Sequence, residues 1–236
     1  MVTDTTIKKG YKQTELGVIP EDWEVLELGE LNAEKFPALN PQMFKDELFE
    51  YYSIPDYQEY KRPSFVLGKT IQSSKVLFKD KTILFGRLNP RVEKVWLVES
   101  LSKKRKIGSG EWITVLPDNV NHISKYIYYL EWSKYVMPIA KENVSGTTPS
   151  RQRIISSFFY KIKVPIPSDS KEQTAIATVL SDTDALIERL EKLIAKKKAI
   201  KQGTMQQLLT GKKRLPGFSG EWETNAFGSM VEINKG

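Results

Sequence analysis

The chain has 236 residues, a formal net charge of +7, no cysteine and a single histidine, His122. The missing thiol excludes disulfides, thiolate metal sites and cysteine nucleophiles together, and one histidine excludes a multi-histidine metal centre. No apolar run approaches the roughly 20 residues that span a bilayer, and the opening Met1-Val2-Thr3-Asp4-Thr5-Thr6 is polar, so a cytoplasmic protein with no membrane partner is expected.

After that lead, Pro20-Glu21-Asp22-Trp23-Glu24-Val25-Leu26-Glu27-Leu28-Gly29 offers Val25, Leu26, Leu28 and Leu31 to a short strand or helical turn, until Pro37 and Pro41 break the pattern. From Tyr51 to Val115 the apolar residues are mostly β-branched or aromatic and come in short runs: Val76-Leu77-Phe78, Thr82-Ile83-Leu84-Phe85 and Val95-Trp96-Leu97-Val98. Turn formers separate them, which predicts a compact, mainly antiparallel sheet. Residues Ile123–Ala140 carry Ile127, Leu130, Tyr135 and Val136 near helical spacing, with Ser124 as the cap and Pro138 as the stop. A Gly/Ser/Thr loop at 143–150 and a strand at Lys161–Ile166 follow.

Ser170-Lys171-Glu172-Gln173 has the form of a capping box. Beyond it Ile176, Val179, Leu180, Leu186, Ile187, Leu190, Leu193, Ile194, Ile200, Met205 and Leu208 recur at helical intervals up to Gly211. The pattern predicts a helix over about 171–210, roughly 60 Å long at 1.5 Å per residue. Its stripe must be covered by a partner helix or by the chain's own sheet domain, and a rod longer than a 170-residue domain is wide favours the partner. The expected architecture is α+β: a globular domain at 1–168, a long coiled-coil-forming helix at 169–211 and a further fragment at 212–236.

That fragment repeats the start. Gly220-Glu221-Trp222-Glu223-Thr224-Asn225-Ala226-Phe227-Gly228 places Trp222 199 residues after Trp23, each Trp followed by Glu, then by an apolar residue at the fifth position and Gly at the sixth. One structural unit used twice, with the second copy cut short, leads to the expectation that a second copy of this chain supplies the other half.

Charge is unevenly spread. Residues 1–60 carry 5 basic and 13 acidic side chains, whereas 61–110 carry 13 and 3. A net +10 confined to one stretch suits a polyanion through counterion release, or else forms a solvated basic face. Within it Gly86-Arg87-Leu88-Asn89-Pro90-Arg91-Val92-Glu93-Lys94 follows a predicted strand and holds Arg and Asn, which read guanine and adenine edges bidentately. Lys103, Lys104, Arg105 and Lys106 form a cluster suited to phosphates, which position without specifying. The loop Ser145-Gly146-Thr147-Thr148-Pro149-Ser150-Arg151-Gln152-Arg153 adds Thr147, Thr148, Arg151 and Arg153. Each could be an ordinary basic loop; together they favour double-stranded DNA.

Catalytic patterns are incomplete. Gly68-Lys69-Thr70 lacks the earlier glycine of a phosphate-binding loop, because Pro63 stands there. Asp56, Glu59 and Lys61 mimic a nuclease metal set, but too few residues separate the two carboxylates to aim both at one ion. His122, amid Asn119, Asn121 and Ser124, reads as a loop or cap residue. Asn89-Pro90-Arg91-Val92 and Asn40-Pro41-Gln42-Met43 both miss the Pro-aromatic ending of an adenine-methyltransferase tetrapeptide. The chain is therefore read as non-catalytic and without a metal or cofactor. A self-contained metal-dependent nuclease and a coiled-coil scaffold without DNA specificity are the alternatives.

Three segments resemble the DNA-specificity subunit of type I restriction-modification systems. They are Tyr11-Lys12-Gln13-Thr14-Glu15-Leu16-Gly17-Val18-Ile19-Pro20-Glu21-Asp22-Trp23-Glu24; the run from Ser145-Gly146-Thr147-Thr148 through Val164-Pro165-Ile166-Pro167 to Glu172-Gln173-Thr174-Ala175-Ile176; and Ile200 through Lys212. The variable middle, about 35–140, matches in style only. The resemblance implies two recognition domains separated by antiparallel conserved helices, each domain reading half of a bipartite site. It also implies that the helices dock methyltransferase subunits carrying S-adenosylmethionine, with motor-nuclease subunits added for cleavage. For this chain it implies one recognition domain, one helix, and a homodimer formed through the helix that recognises an inverted repeat.

Overall fold

The computed structural model describes residues 7–231; the polar lead at 1–6 and the end of the repeat fragment, 232–236, lie outside the described residues. The chain forms two compact units, 1–180 and 181–236, so the first turns of the long helix belong to the first unit. No helix among the described residues is long and apolar enough to cross a membrane.

The first unit opens with β1 (Tyr11–Thr14), β2 (Gly17–Pro20) and β3 (Trp23–Glu27). Next come β4 (Ala38–Leu39), β5 (Leu48–Tyr52), helix α1 (Ile54–Glu59), β6 (Ser64–Leu67), β7 (Lys75–Phe78), β8 (Ile83–Gly86) and β9 (Val95–Leu97). After β10 (Lys106–Gly108) and β11 (Trp112–Val115) the chain turns helical in α2 (Ser124–Trp132) and α3 (Met137–Glu142). A small hairpin, β12 (Val144–Ser145) with β13 (Arg153–Ile154), then α4 (Ser156–Phe159), β14 (Lys163–Pro167) and the first turns of α5 (Ser170–Leu208), up to Leu180, complete it. The strands form a five-stranded sheet ordered β4-β7-β10-β5-β6, a three-stranded sheet β11-β8-β9 and three two-stranded pairs. The mainly antiparallel, α+β expectation holds; β10 beside β5 is a parallel pair.

Strand β8 is central in its sheet and buried along its whole length, and its alternation explains why. Ile83 and Phe85 face the main core, with Val95, Ile113, Val115, Tyr126, Ile127, Leu130 and Phe159. Leu84 faces a second, aromatic cluster of Tyr52, Tyr57, Phe78, Trp96 and Trp112, whose Tyr52 and Trp96 rings lie 4.7 Å apart. Strand β14 pairs with β3 from Lys163 opposite Glu27 to Pro167 opposite Trp23, which brings the opening segment beside the start of α5. There Trp23 Nε1 donates to Glu172 at 3.3 Å.

Three local expectations are corrected. The segment from Ile123 to Ala140 is two helices, and Pro138 lies in the first turn of the second instead of stopping the first. Ser124 lies inside α2; the N–H groups of Ile123 and Ser124 donate to Gln173 and Asn119 side chains instead. At α5 the cap lies one residue earlier than the capping box, for Lys171 N–H donates to the Asp169 carboxylate at 2.8 Å. Glu172 accepts from Trp23 Nε1 instead.

Helix α1 starts on Ser53, whose hydroxyl accepts from Asp56 N–H at 3.0 Å and donates to the Asp56 carboxylate at 2.6 Å. Replacing Ser53 by Ala is expected to lower the unfolding free energy by about 1 kcal/mol, measured by urea denaturation.

Candidate nucleic-acid interface

The loop after β8 and the β12–β13 hairpin are built as one surface. Asn89 N–H donates to Gln152 carbonyl at 2.9 Å, Ile154 N–H donates to Arg87 carbonyl at 2.9 Å, and Leu88 bridges Arg153. Asn89 adopts φ +51°, a left-handed conformation that Asn tolerates better than most residues, so a turn requirement accounts for Asn here independently of base reading. Its carbonyl accepts from Val92 N–H and from the Lys94 ammonium.

Lys94 itself is 2% exposed. Its ammonium donates to the Asn89 and Val92 carbonyls, and its stem packs where a Gly86 Cβ would stand, 2.7 Å from the Lys94 Cβ. The expected DNA contact from Lys94 is thus corrected: the side chain ties the loop closed, and Gly86 makes room for it. Desolvation lowers its pKa from the usual lysine range.

Glu111, in the turn between β10 and β11, joins the two loops through their arginines. Arg153 Nε and Nη2 donate to its carboxylate at 3.0 and 2.9 Å, and Arg87 Nε lies 3.9 Å away. The turn also accepts Arg87 N–H at the Glu111 carbonyl, 3.0 Å. Arg91, Thr147, Thr148 and Arg151 are exposed on the same two loops. Sequence reasoning missed Glu111; its one signal was an acid directly after the strongly basic stretch.

The basic cluster lies elsewhere, at the opposite end of β10 from Glu111. Lys103 and Lys104 are exposed and, with Lys79 and Phe78, line a groove of about 430 Å³. Arg105 is clamped by both oxygens of Glu47 and stacks 4.1 Å from the Phe44 ring centroid. Lys106 is buried, its ammonium donating to the Ser102 and Lys104 carbonyls, so its expected phosphate contact is corrected too. The loop base is set by Glu50, fully buried, which accepts from the Tyr52 hydroxyl, Leu101 N–H and the Ser102 hydroxyl.

The other candidate sites resolve into structure. Asp56 accepts from the Ser53 and Ser64 hydroxyls, and no group of three or more His, Cys, Asp or Glu among the described residues is placed to hold a metal. His122 lies in a turn organised by the Asp118 carboxylate, which accepts from its N–H at 2.9 Å.

Along α5 the expected partner residues divide. Ile176 packs on the chain's own main core beside buried Ala177, which corrects its assignment to a partner helix. Leu208 lines a small pocket with Leu215, Phe218 and Trp222 of its own unit. Leu186, Ile187, Leu190, Leu193, Ile194 and Ile200 remain 48–54% exposed, with Leu180 and Met205 at 39% and 42%. Among the described residues nothing covers that stripe. Among the described residues the repeat fragment forms no strand; Trp222 is exposed, with the Arg214 guanidinium 5.6 Å from its ring centroid.

The first unit is an α+β fold whose 86–94 and 144–154 loops form one arginine-bearing surface, and α5 carries an exposed apolar stripe. Residues 20–202 match the family model described as the type I restriction modification DNA specificity domain, and the chain belongs to that family. It is 29% identical over 218 residues to the putative type I restriction enzyme MjaX specificity subunit of Methanocaldococcus jannaschii, covering 86% of this chain and 49% of that protein. To the MjaVIII specificity subunit of the same organism it is 25% identical over 229 residues, 92% of this chain and 51% of the other. The chain thus spans about half the length of these curated relatives. The fold resembles the HsdS subunit from Thermoanaerobacter tengcongensis with a TM-score of 0.65 at 17% identity, over 85% of this chain and 52% of that one.

Proposed function

We propose that the chain is a non-catalytic DNA-recognition subunit that reads half of a bipartite duplex target and directs adenine N6 methylation by methyltransferase subunits. S-adenosylmethionine is held by those subunits and not by this chain. Motor-nuclease subunits join the same assembly for cleavage. Two copies pair through the exposed stripe of α5, so the two half-sites form an inverted repeat.

The observation that carries this reading is the union of the 86–94 and 144–154 loops into one surface bearing Arg87, Asn89, Arg91, Thr147, Thr148, Arg151 and Arg153. Family membership and the unpaired stripe support it. Base-edge contacts specify and phosphate contacts only position, so the two classes separate by mutation. Arg87→Ala or Asn89→Ala is expected to cost about 1–3 kcal/mol on the preferred duplex and relax its preference. Lys104→Ala is expected to weaken all duplexes alike and flatten the salt dependence. Competition binding over a salt series measures both. Equal loss on every duplex for Arg87→Ala would move that residue to the phosphate class, and wild-type binding independent of sequence would end the reading.

A further inference from the structure

We propose that Glu111 is a positioning residue that buttresses Arg153 as the reader of a guanine. The inference rests on the DNA-recognition reading above and names a base class for one position of the interface.

An arginine has five N–H donors in a rigid fork, and which of them remain for a ligand depends on which the protein already uses. Glu111 takes the Nε and Nη2 edge of Arg153, with Nε 3.0 Å from both carboxylate oxygens and Nη2 2.9 Å from one. Arg151 carbonyl accepts from Nη1 at 3.4 Å. One N–H on Nη1 and one on Nη2 are then left at the end of the guanidinium, a parallel pair that matches guanine O6 and N7. The Arg153 side chain is 43% exposed, while Glu111 is 26% exposed, so the carboxylate lies deeper than the group it holds.

The backbone around the pair is equally fixed. Arg153 lies in β13, opposite Ser145, and bridges Leu88, and Glu111 precedes β11, whose Trp112 is buried in the aromatic cluster. A guanidinium whose plane is set at both ends of its chain loses little rotamer entropy on meeting a base edge. A lone surface arginine meeting a phosphate needs no such support. A carboxylate facing the DNA raises the cost of every phosphate contact, so its presence here is explained by what it does for Arg153. Arg87 Nε has no acceptor among the described residues and is 3.9 Å from the same carboxylate, which places Glu111 between both arginines.

The test uses the full chain, copurified with an adenine-methyltransferase subunit that it binds, and a random duplex pool from which a preferred sequence is selected. For the wild type, the selected sequence is expected to contain one G·C pair at which 7-deazaguanine, lacking the N7 acceptor of the pair but keeping O6, weakens binding about 2- to 12-fold. Arg153→Lys is expected to lose that penalty while keeping the preferences at other positions. Glu111→Gln is expected to reduce the same penalty and to bind non-selected duplex more tightly, because a negative charge has been removed. Glu111→Asp, which keeps the charge but shortens its reach, is expected to retain weak non-selected binding and still lose part of the guanine preference. If Glu111→Gln, folded by circular dichroism, selects the same sequence with the same 7-deazaguanine penalty, the buttress is overturned. If Arg153→Lys weakens every duplex alike, Arg153 is a phosphate contact and the proposal fails while DNA recognition stands. A wild-type pool with no enriched sequence overturns both.

Discussion

With Leu186, Leu190 and Leu193 all replaced by Ala, the full chain is expected to sediment as a monomer at concentrations where the parent sediments as a dimer. The three side chains are each about half exposed in the single chain. Covering a leucine fully contributes about 1.5–3 kcal/mol relative to leaving it in water, so covering the exposed half contributes roughly 1 kcal/mol. A two-fold interface uses every residue twice, so six side chains are lost together. The total is about 6 kcal/mol, or four orders of magnitude in the dissociation constant. None of the three belongs to the main core, so the variant is expected to keep its thermal transition. A parent chain that is itself monomeric by sedimentation equilibrium would remove the pairing from the proposed function while leaving the recognition loops untouched.

The second large effect comes from Glu131 in α2. It is fully buried, and neither carboxylate oxygen has a hydrogen-bond partner among the described residues. Desolvation pushes its pKa well above the ordinary value of 4.5, so burial favours the neutral acid in the folded state. The unfolded chain ionises near that ordinary value. Stability associated with this group is therefore fully present below pH 4.5 and is lost as pH rises toward the folded-state pKa. Glu131→Leu replaces an unsatisfied polar group by an apolar one, for an expected gain of about 1–3 kcal/mol at pH 4 and clearly more at pH 8, where ionisation of the unfolded chain adds to it. Urea denaturation at the two pH values reads the difference directly. An equal change at both would mean that Glu131 is already satisfied or already solvated.

Elements whose physics is local were legible in the sequence. The strands around Ile83–Phe85 and Val95–Leu97 announce themselves because a β-branched or aromatic run between turn formers has few other uses. The long helix was legible for the same reason, its apolar period surviving over 39 residues. What escaped was set by partners distant in the chain. Asp169 displaces Ser170 as the cap through a single carboxylate placement, and Gln173, fifty residues on, accepts the N–H that begins α2. A period of 3.6 continues through Ser133–Val136 on either side of the break, so nothing in the spacing divides α2 from α3.

At the candidate site the sequence identified the loops but not the use of each side chain. Arg153 is distant in the chain from Arg87 and Asn89, and backbone bonds around Leu88 and Gln152 bring it beside them. Lys94 and Lys106 count as positive charges in any composition window, yet both are turned inward to carbonyl groups. A buried ammonium cannot be told from an exposed one by residue type. Glu111 was overlooked because a lone acid beside many bases reads as dilution of charge, whereas geometry makes it the residue joining both arginines.

The β12–β13 hairpin has only two rungs, and the loop after β8 is closed by one lysine stem lying on a glycine. Neither contributes much to the main core, where Ile154 is the hairpin's principal anchor. Replacement of the exposed side chains at Arg91 and from Thr147 to Arg151 is therefore expected to leave the scaffold's stability nearly untouched. Selection can rewrite the vocabulary of such a molecule without renegotiating its grammar.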